Sequence, residues 1–390
     1  MAVECEVVSA DLNEALAAEL DRLSGAGLLR TLRPVSGRQG ARVRVDGREM
    51  LDFSSNDYLA LAGDPRVAAA ATAALASGPL GAGAARLISG DHPLHEALER
   101  ALADYKRTEA ALLFGSGYLA NIGTIPALVG PRDVIYADRL NHASLIDGCR
   151  LSRAEVRTFA HNDMAALADM LAADRGRFRR RLIVVDSVFS MDGDLAPLCE
   201  LVPLARAYDA WTYVDDAHAT GVLGQGGRGS AEHWAVEGQI DVIMGTLGKA
   251  LGTAGAFIAG SRTLIDYLTN RARAFVYTTA SPPAIAAAAL EALRIATTEP
   301  ERRTRLRAAA RRLRSGLGID GPNDGHIIPI PFGDADRTMR VAAALNDQGF
   351  LVGAIRPPTV PDGTSRLRLT VSAAHEPADI DALLTAVKSL

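Results

Sequence analysis

The chain has 390 residues, 48% hydrophobic and 23% charged, the balance of a water-soluble globular protein with room for one large domain and a smaller appendage. Its 42 basic and 46 acidic residues are mixed along the chain and sum to a formal charge of −4, which gives no electrostatic footprint for nucleic acid. Three separated cysteines (Cys5, Cys149, Cys199) with no C-x-x-C pair indicate neither a disulfide framework nor a zinc site. With an acidic N-terminus and no apolar run near the ~20 residues of a membrane span, they predict a cytoplasmic protein without a membrane partner.

Residues 11–29 carry Leu12, Leu16, Leu20 and Leu23 at helical spacing, and "ARVRVDGREMLDF" alternates around Asp46-Gly47, the signature of a hairpin with a type I′ turn. These two elements make an N-terminal arm, residues 1–60. In the next unit, 61–280, short apolar runs alternate with helical stretches: "AALLF" (110–114), "DVIYA" (133–137), "AEVRTF" (154–159), "LIVVDS" (182–187), "WTYVDD" (211–216), "DVIMG" (241–245) and "GAFIAG" (255–260). Strands separated by helices predict an α/β fold, a mainly parallel seven-stranded sheet flanked by helices, with ligands bound at the strands' carboxyl ends. The basic run "RGRFRRR" (175–181) lies between a helical pattern and a strand and reads as a solvated connection.

After residue 280 two Ala- and Arg-rich helices run to about 316. A strand ("HIIPIPF"), a helix ("RTMRVAAALNDQGF"), two strands ("LVGAI", "RLRLTV") and a last helix then form a small α+β domain, 281–390, whose internal loop is "GIDGPNDG". No repeat of 20–50 residues is visible.

The chemistry-bearing residues sit at strand ends. "LLFGSGYLAN" opens a helix in which the backbone N–H groups of Gly117 and Tyr118 suit a phosphate. "DRLNHASLID" puts His142 at another helix start, where Asn141 or Ser144 is the expected cap and an imidazole lying on a flat ring is the alternative. "VVDSVFSMDGD" offers Ser190 as a donor. "YVDDAHATG" ends a buried strand in Asp215 and Asp216, with His218 following. Buried carboxylates need a reason, either protonation of a pyridine nitrogen or a metal, though no second His/acid cluster supplies further ligands.

Lys249, in "MGTLGKALGTAGAF", does not fit a phosphate-binding P-loop: two residues separate Gly245 from Gly248, and Ala250 follows the lysine where Ser or Thr is required. A surface lysine in a turn and a Schiff-base lysine at the end of a buried strand remain. A strand-end aspartate, a phosphate-cradling helix start, a histidine and a lysine three residues after Thr246 form, in this order, the set that pyridoxal 5′-phosphate requires.

The chain resembles the α-oxoamine synthases of the fold-type I pyridoxal-phosphate enzymes. The likeness runs from "LDFSSNDYLAL" through "RLISGDHPLHEALE", "FGSGYLAN", "DRLNHASLIDG", "DSVFSMDGDLAPL", "VDDAHATGVLGQGGRG", "TLGKALG" and "YTTASPP" to "IRPPTVPDGTSRLRLTVSAAHE". It departs from the family's usual pattern in "GPLGAGAA", in Ala219 and in Asn141. The resemblance implies that Lys249 holds the cofactor and moves the substrate's α-proton. It also implies that Asp215 pairs with the pyridine nitrogen, that His142 stacks on the ring, and that His218 bonds the phenolic oxygen with help from Ser190. The phosphate is implied to rest on Gly117, Tyr118 and Thr246, with Thr278 from the second subunit of a homodimer whose active sites are shared. Arg356 is implied to hold the amino-acid carboxylate, with Arg30, Asn56, His142 and Thr359 as further substrate residues. "RPPTVP" favours members that condense L-alanine with a pimeloyl thioester, releasing carbon dioxide; a member using glycine or serine is the alternative.

Overall fold

The computed structural model describes residues 11–319 and 325–389, with Arg38 and Gln39 described by their backbone alone. Cys5 and residues 320–324 of the expected "GIDGPNDG" loop lie outside the described residues. Helix α1 (Leu12–Gly25), capped by the Asp11 carboxylate on the Asn13 N–H, buries none of its residues, and Leu12, Leu16 and Leu20 are exposed. Strands β1 (Val35–Gln39), β2 (Arg42–Val45) and β3 (Arg48–Asp52) follow. The β2–β3 turn puts Asp46 at φ 51° and Gly47 at φ 78°, the two left-handed residues that a type I′ turn requires.

The main sheet contains β4 (Ala110–Phe114), β5 (Val134–Asp138), β6 (Glu155–Phe159), β7 (Arg181–Asp186), β8 (Trp211–Asp215), β9 (Val242–Thr246) and β10 (Ala256–Gly260), in the order β4-β10-β9-β8-β7-β5-β6. The five strands from β9 to β6 are parallel; β10 runs antiparallel between β9 and β4. One face packs Ile135, Leu182, Val184, Tyr213 and Met244 against α4 (Gly117–Leu128) and α5 (Ala143–Ser152). The other packs Tyr136, Ile183, Val185, Val214 and Ile243 against α6 (Met164–Ala173) and α7 (Leu198–Ala207). Burial on both faces is why these strands read as continuous apolar runs.

A third core joins Phe53, Tyr58 and Leu61 to α2 (Pro65–Ser77), α3 (Pro93–Lys106) and the C-terminal unit. After the single turn α8 (Ser230–His233), α9 (Arg262–Arg271) and α10 (Arg273–Val276) lead to α11 (Pro283–Thr298) and α12 (Glu301–Leu317). The remaining elements are β11 (Ile327–Gly333), α13 (Ala335–Asp347), β12 (Phe350–Leu351), β13 (Gly353–Ile355), β14 (Ser365–Thr370) and α14 (Pro377–Lys388). The run "LVGAI", expected as one strand, is divided. β12 pairs in parallel with β3, so the expected two-stranded hairpin becomes a four-stranded sheet, whereas β13 joins β14 and β11 in a separate one. This division ties the N-terminal arm to the C-terminal unit by main-chain hydrogen bonds, Leu51 N–H to Gly349 O and Phe53 N–H to Leu351 O, each at 2.9 Å.

Candidate active site

The carboxyl ends of β7, β8 and β9 bring Asp186, Asp215 and the turn carrying Lys249 to one side of the sheet. Asp186 and Asp215 are register partners across β7 and β8, and Asp215 is the partner of Met244 across β8 and β9. Lys249 lies just past β9 with its Nζ 2.9 Å from His218 Nε2. Burial disfavours its ammonium form and, against attraction from Asp215 and Asp186, lowers its pKa to about 8. The same burial, with the Lys249 charge second, drives His218 well below the usual imidazole range, so its ring is neutral.

Asp215 is 3% exposed, and its carboxylate accepts from Asn121 Nδ2 at 2.8 Å and from the Ala217 N–H at 3.0 Å. Desolvation raises its pKa, while Lys249 and the Asn121 hydrogen bond favour the charged form. Its neighbour Asp216 has a different task. That carboxylate turns away to Lys106 Nζ at 2.6 Å and Ser187 Oγ at 2.8 Å, a buried structural pair. The two adjacent aspartates are therefore one site group and one fold group, a division set by the alternation of side chains along a strand.

His142 itself caps α5. Its Nδ1 accepts from the Ser144 N–H at 3.2 Å, in place of the Asn141 or Ser144 cap expected from sequence. Asn141 instead donates to Val184 O and accepts from the Asp186 N–H, while the His142 N–H donates to Asp186 Oδ2 at 2.6 Å. His142 is exposed. Desolvation by its surroundings, opposed by Asp215, lowers its pKa.

Ser116 caps α4 by accepting from the Leu119 N–H, which leaves Gly117 and Tyr118 in the first turn, where backbone N–H groups lack intrahelical partners. The exposed Tyr118 donates its hydroxyl to Asp147. Thr246 Oγ1 donates to Gly255 O and accepts from the Gly248 N–H, bracing the turn that holds Lys249. Ser190 offers its carbonyl to Arg368 Nε, and the half-buried Thr278 bonds only weakly, at 3.5 Å, to Thr279 O.

A second group forms where the arm meets the C-terminal unit. Arg30 Nη2 lies 3.4 Å from Thr359 Oγ1, and Arg356 donates from Nη2 to Leu29 O at 2.8 Å. Arg356 is 9% exposed, and its Nε is buried with no hydrogen-bond partner among the described residues. Asn56 Oδ1 accepts from Tyr58 Oη and Arg368 Nη2. Arg30 and Thr359 thus sit together, apart from the hydrogen bonds around Lys249.

Sequence reasoning passed over Tyr58, Asn121, Asp186 and Arg368. Asn121 joins three groups, since it accepts from Tyr213 Oη at 2.7 Å and donates to Asp215 and to Ser144 Oγ. Its signal was an amide one turn into an otherwise apolar, glycine-started helix.

The donor set fits pyridoxal phosphate. A deprotonatable amine, a buried carboxylate on the next strand, a neutral histidine against the amine and a free helix start match the aldehyde, pyridine nitrogen, phenolic oxygen and phosphate of that molecule. Among the described residues no set of three or more His, Cys, Asp or Glu side chains is placed to hold a metal ion, and no helix is long and apolar enough to cross a membrane.

Comparisons with known proteins agree with this geometry. The family described as aminotransferase class I and II matches residues 48–387. An 8-amino-7-oxononanoate synthase from Anaeromyxobacter dehalogenans is 52% identical over 379 residues, covering 96% of this chain and 95% of that protein. One from Geobacter sulfurreducens is 50% identical over 382 residues, covering 96% and 97%. Among solved structures, a serine palmitoyltransferase from S. paucimobilis with a bound PLP-myriocin aldimine superposes with a TM-score of 0.91 at 31% identity, covering 97% of this chain and 98% of that one. An 8-amino-7-oxononanoate synthase from Francisella tularensis gives 0.76 at 27%, covering 87% and 97%. The chain belongs to the class I and II aminotransferase family, and within it to the α-oxoamine synthases of the fold-type I pyridoxal-phosphate enzymes.

Proposed function

We propose that the chain catalyses the decarboxylative condensation of L-alanine with a pimeloyl thioester, yielding 8-amino-7-oxononanoate, carbon dioxide and the free thiol, the step that its half-identical relatives are named for. The observation that carries it is the Lys249–His218 contact of 2.9 Å beside buried Asp215, an amine that burial makes easier to deprotonate than an ordinary lysine.

Lys249 would hold pyridoxal phosphate covalently, with Asp215 at the pyridine nitrogen, His142 against the ring, His218 and Ser190 at the phenolic oxygen, and Gly117, Tyr118 and Thr246 at the phosphate. Thr278 would complete the phosphate site from a second copy, making the homodimer the active unit in the cytoplasm. Bound there, the cofactor supplies an electron sink for a carbanion at the amino acid's Cα and for the electrons left by the departing carboxylate.

This chain's residues do the rest. Asp215 would keep a proton on the pyridine nitrogen, because a buried carboxylate is neutralised best by a cation against it. Arg356, whose Nε has no hydrogen-bond partner among the described residues, takes the amino-acid carboxylate, and Asn56 belongs to the same proposed substrate set. The Lys249 amine would accept the Cα proton at Nζ and later return it. Arg30 and Thr359, joined across the arm, meet the acyl substrate. The cofactor residues come from 61–280, and Arg356 and Thr359 from 281–390.

The test is to supply the purified, pyridoxal-phosphate-loaded protein with pimeloyl-CoA and one amino acid at a time. L-Alanine should give stoichiometric carbon dioxide, free thiol and 8-amino-7-oxononanoate, and Lys249→Ala should abolish turnover. Turnover with serine or glycine but not alanine would move the chain to another member of the family.

A further inference from the structure

We propose that, in the cofactor-free chain, Tyr58 is a positioning residue that fixes the tautomer of His218 through a one-way hydrogen-bond chain running from Lys249 to Asn56. The chain consists of four contacts. Lys249 Nζ is 2.9 Å from His218 Nε2, and His218 Nδ1 is 2.7 Å from Tyr58 Oη. Tyr58 Oη is 2.9 Å from Asn56 Oδ1, which also receives Arg368 Nη2 at 3.1 Å.

Chemistry sets the direction. Without the cofactor and with a pKa of about 8, Lys249 is mainly an ammonium at neutral pH; an ammonium has three donors and no acceptor, so Lys249 donates and His218 Nε2 must present its lone pair. A neutral imidazole carries one N–H, which then lies on Nδ1 and points at Tyr58 Oη. With its oxygen accepting from His218, Tyr58 gives its own proton to Asn56 Oδ1, an oxygen held in place by the donor-only guanidinium of Arg368. Every junction thus has one donor and one acceptor, and reversing any of them sets two protons or two lone pairs face to face.

The surroundings hold this order. Tyr58 has no exposed surface, and burial, partly offset by Arg368, pushes its hydroxyl up to about 12, so it remains a donor at neutral pH. His326 packs edge-on to the Tyr58 ring at 4.1 Å between centroids and fixes the ring's plane. The charged or titratable groups around the chain are Lys249, Asp215, Asp186, His142, His326 and Arg368, and none of them competes for His218 Nδ1. Asn56, expected from sequence as a substrate residue, is the far anchor of the chain as well.

This inference rests on the reading of Lys249 and His218 as the reacting pair, but its test does not depend on turnover. In the full-length chain freed of cofactor and labelled with 15N-histidine, His218 should show a protonated Nδ1 and an unprotonated Nε2. That wild-type spectrum decides the direction without any variant. Tyr58→Phe keeps the buried ring and removes the oxygen. The His218 proton should then shift toward Nε2, and the titration midpoint of Lys249, followed by amine acylation against pH, should fall by about one pH unit. Asn56→Ala, which leaves Tyr58 in place, should produce the same changes more weakly. An Nε2–H tautomer in the wild type, or a Tyr58→Phe protein with unchanged tautomer and unchanged Lys249 titration, would overturn the proposal. Failure of the condensation assay with an intact His218 pattern would count against the proposed reaction alone.

Discussion

Asp186 and Asp215 face each other as register partners on the parallel strands β7 and β8, both at most 3% exposed. Two carboxylates so placed do not ionise independently. Desolvation first, and then the Asp215 charge, hold the Asp186 carboxyl well above its ordinary range, against the hydrogen bond from the His142 N–H. In the unfolded chain Asp186 ionises near pH 4, so between that value and its folded pKa the native state binds the extra proton, and stability falls as pH rises. Asp186→Asn keeps an acceptor for His142 and removes this linkage. Its melting temperature, followed from pH 4 to pH 7, should decline less than that of the wild type; parallel curves would show that Asp186 ionises as freely in the fold as outside it.

The other strand-end aspartate leads to a different expectation. Lys106 and Asp216 have side chains 1% and 2% exposed, and the carboxylate also takes the Ser187 hydroxyl and the Ser230 N–H. Lys106→Met should cost about 3–5 kcal/mol, because it strands a buried charge rather than removing an interaction. Urea denaturation should show this loss, and much of it should return in the double variant Lys106→Met/Asp216→Asn. Equal stability of the single and double variants would mean that solvent reaches Asp216.

The parallel sheet was legible because strands buried on both faces spell themselves out as apolar runs, and the places where those runs end in Asp, Ser or Gly mark the ligand side. What was not legible depends on contacts distant in sequence. Nothing in "LVGAI" signals that Phe350 and Leu351 pair with β3 while Ala354 pairs with β14, since neither partner strand is near in the chain. The division of labour between Asp215 and Asp216 likewise needed Lys106, 110 residues away. His142 was noticed as a helix-start residue, but its capping by its own ring required the loop geometry. Tyr58 and Asn121 were hidden by type: a tyrosine and an asparagine within apolar motifs resemble core and cap residues until their partners are seen.

Among the described residues, Asn121 is the one side chain that hydrogen-bonds Asp215, Tyr213 and Ser144 together. Asn121→Ala removes a hydrogen bond to a charged carboxylate and leaves the Tyr213 hydroxyl without its acceptor, each worth roughly 1–3 kcal/mol. If Asp215 holds the pyridinium, its reorientation should lower affinity for pyridoxal phosphate about 10- to 100-fold at the same free-energy scale. Equilibrium titration of the cofactor-free protein measures this. Unchanged affinity would place the cofactor's nitrogen elsewhere.

The loop carrying Ser190 is held against the C-terminal unit by two side chains, Arg366 on the Asp192 carboxylate and Arg368 on the Ser190 carbonyl, and its backbone passes close to β11 at Gly193. Gly193 has φ +72°, and a Cβ there would stand 2.2 Å from Ile327 O in β11, closer than any real contact. Gly193→Ala therefore meets two obstacles, a left-handed backbone and a carbonyl that belongs to a sheet hydrogen-bonded to β14. Either the loop or β11 must shift. Because Arg368, on β14, also bonds Ser190 O, the shift is passed to the residues expected around the cofactor. The variant should lose more than about 1 kcal/mol of stability. Turnover should fall further than the stability loss explains at temperatures where the protein remains folded, as circular dichroism and the condensation assay on the same sample would show. Full turnover in a destabilised protein would mean that the loop's grip on β11 serves the fold alone.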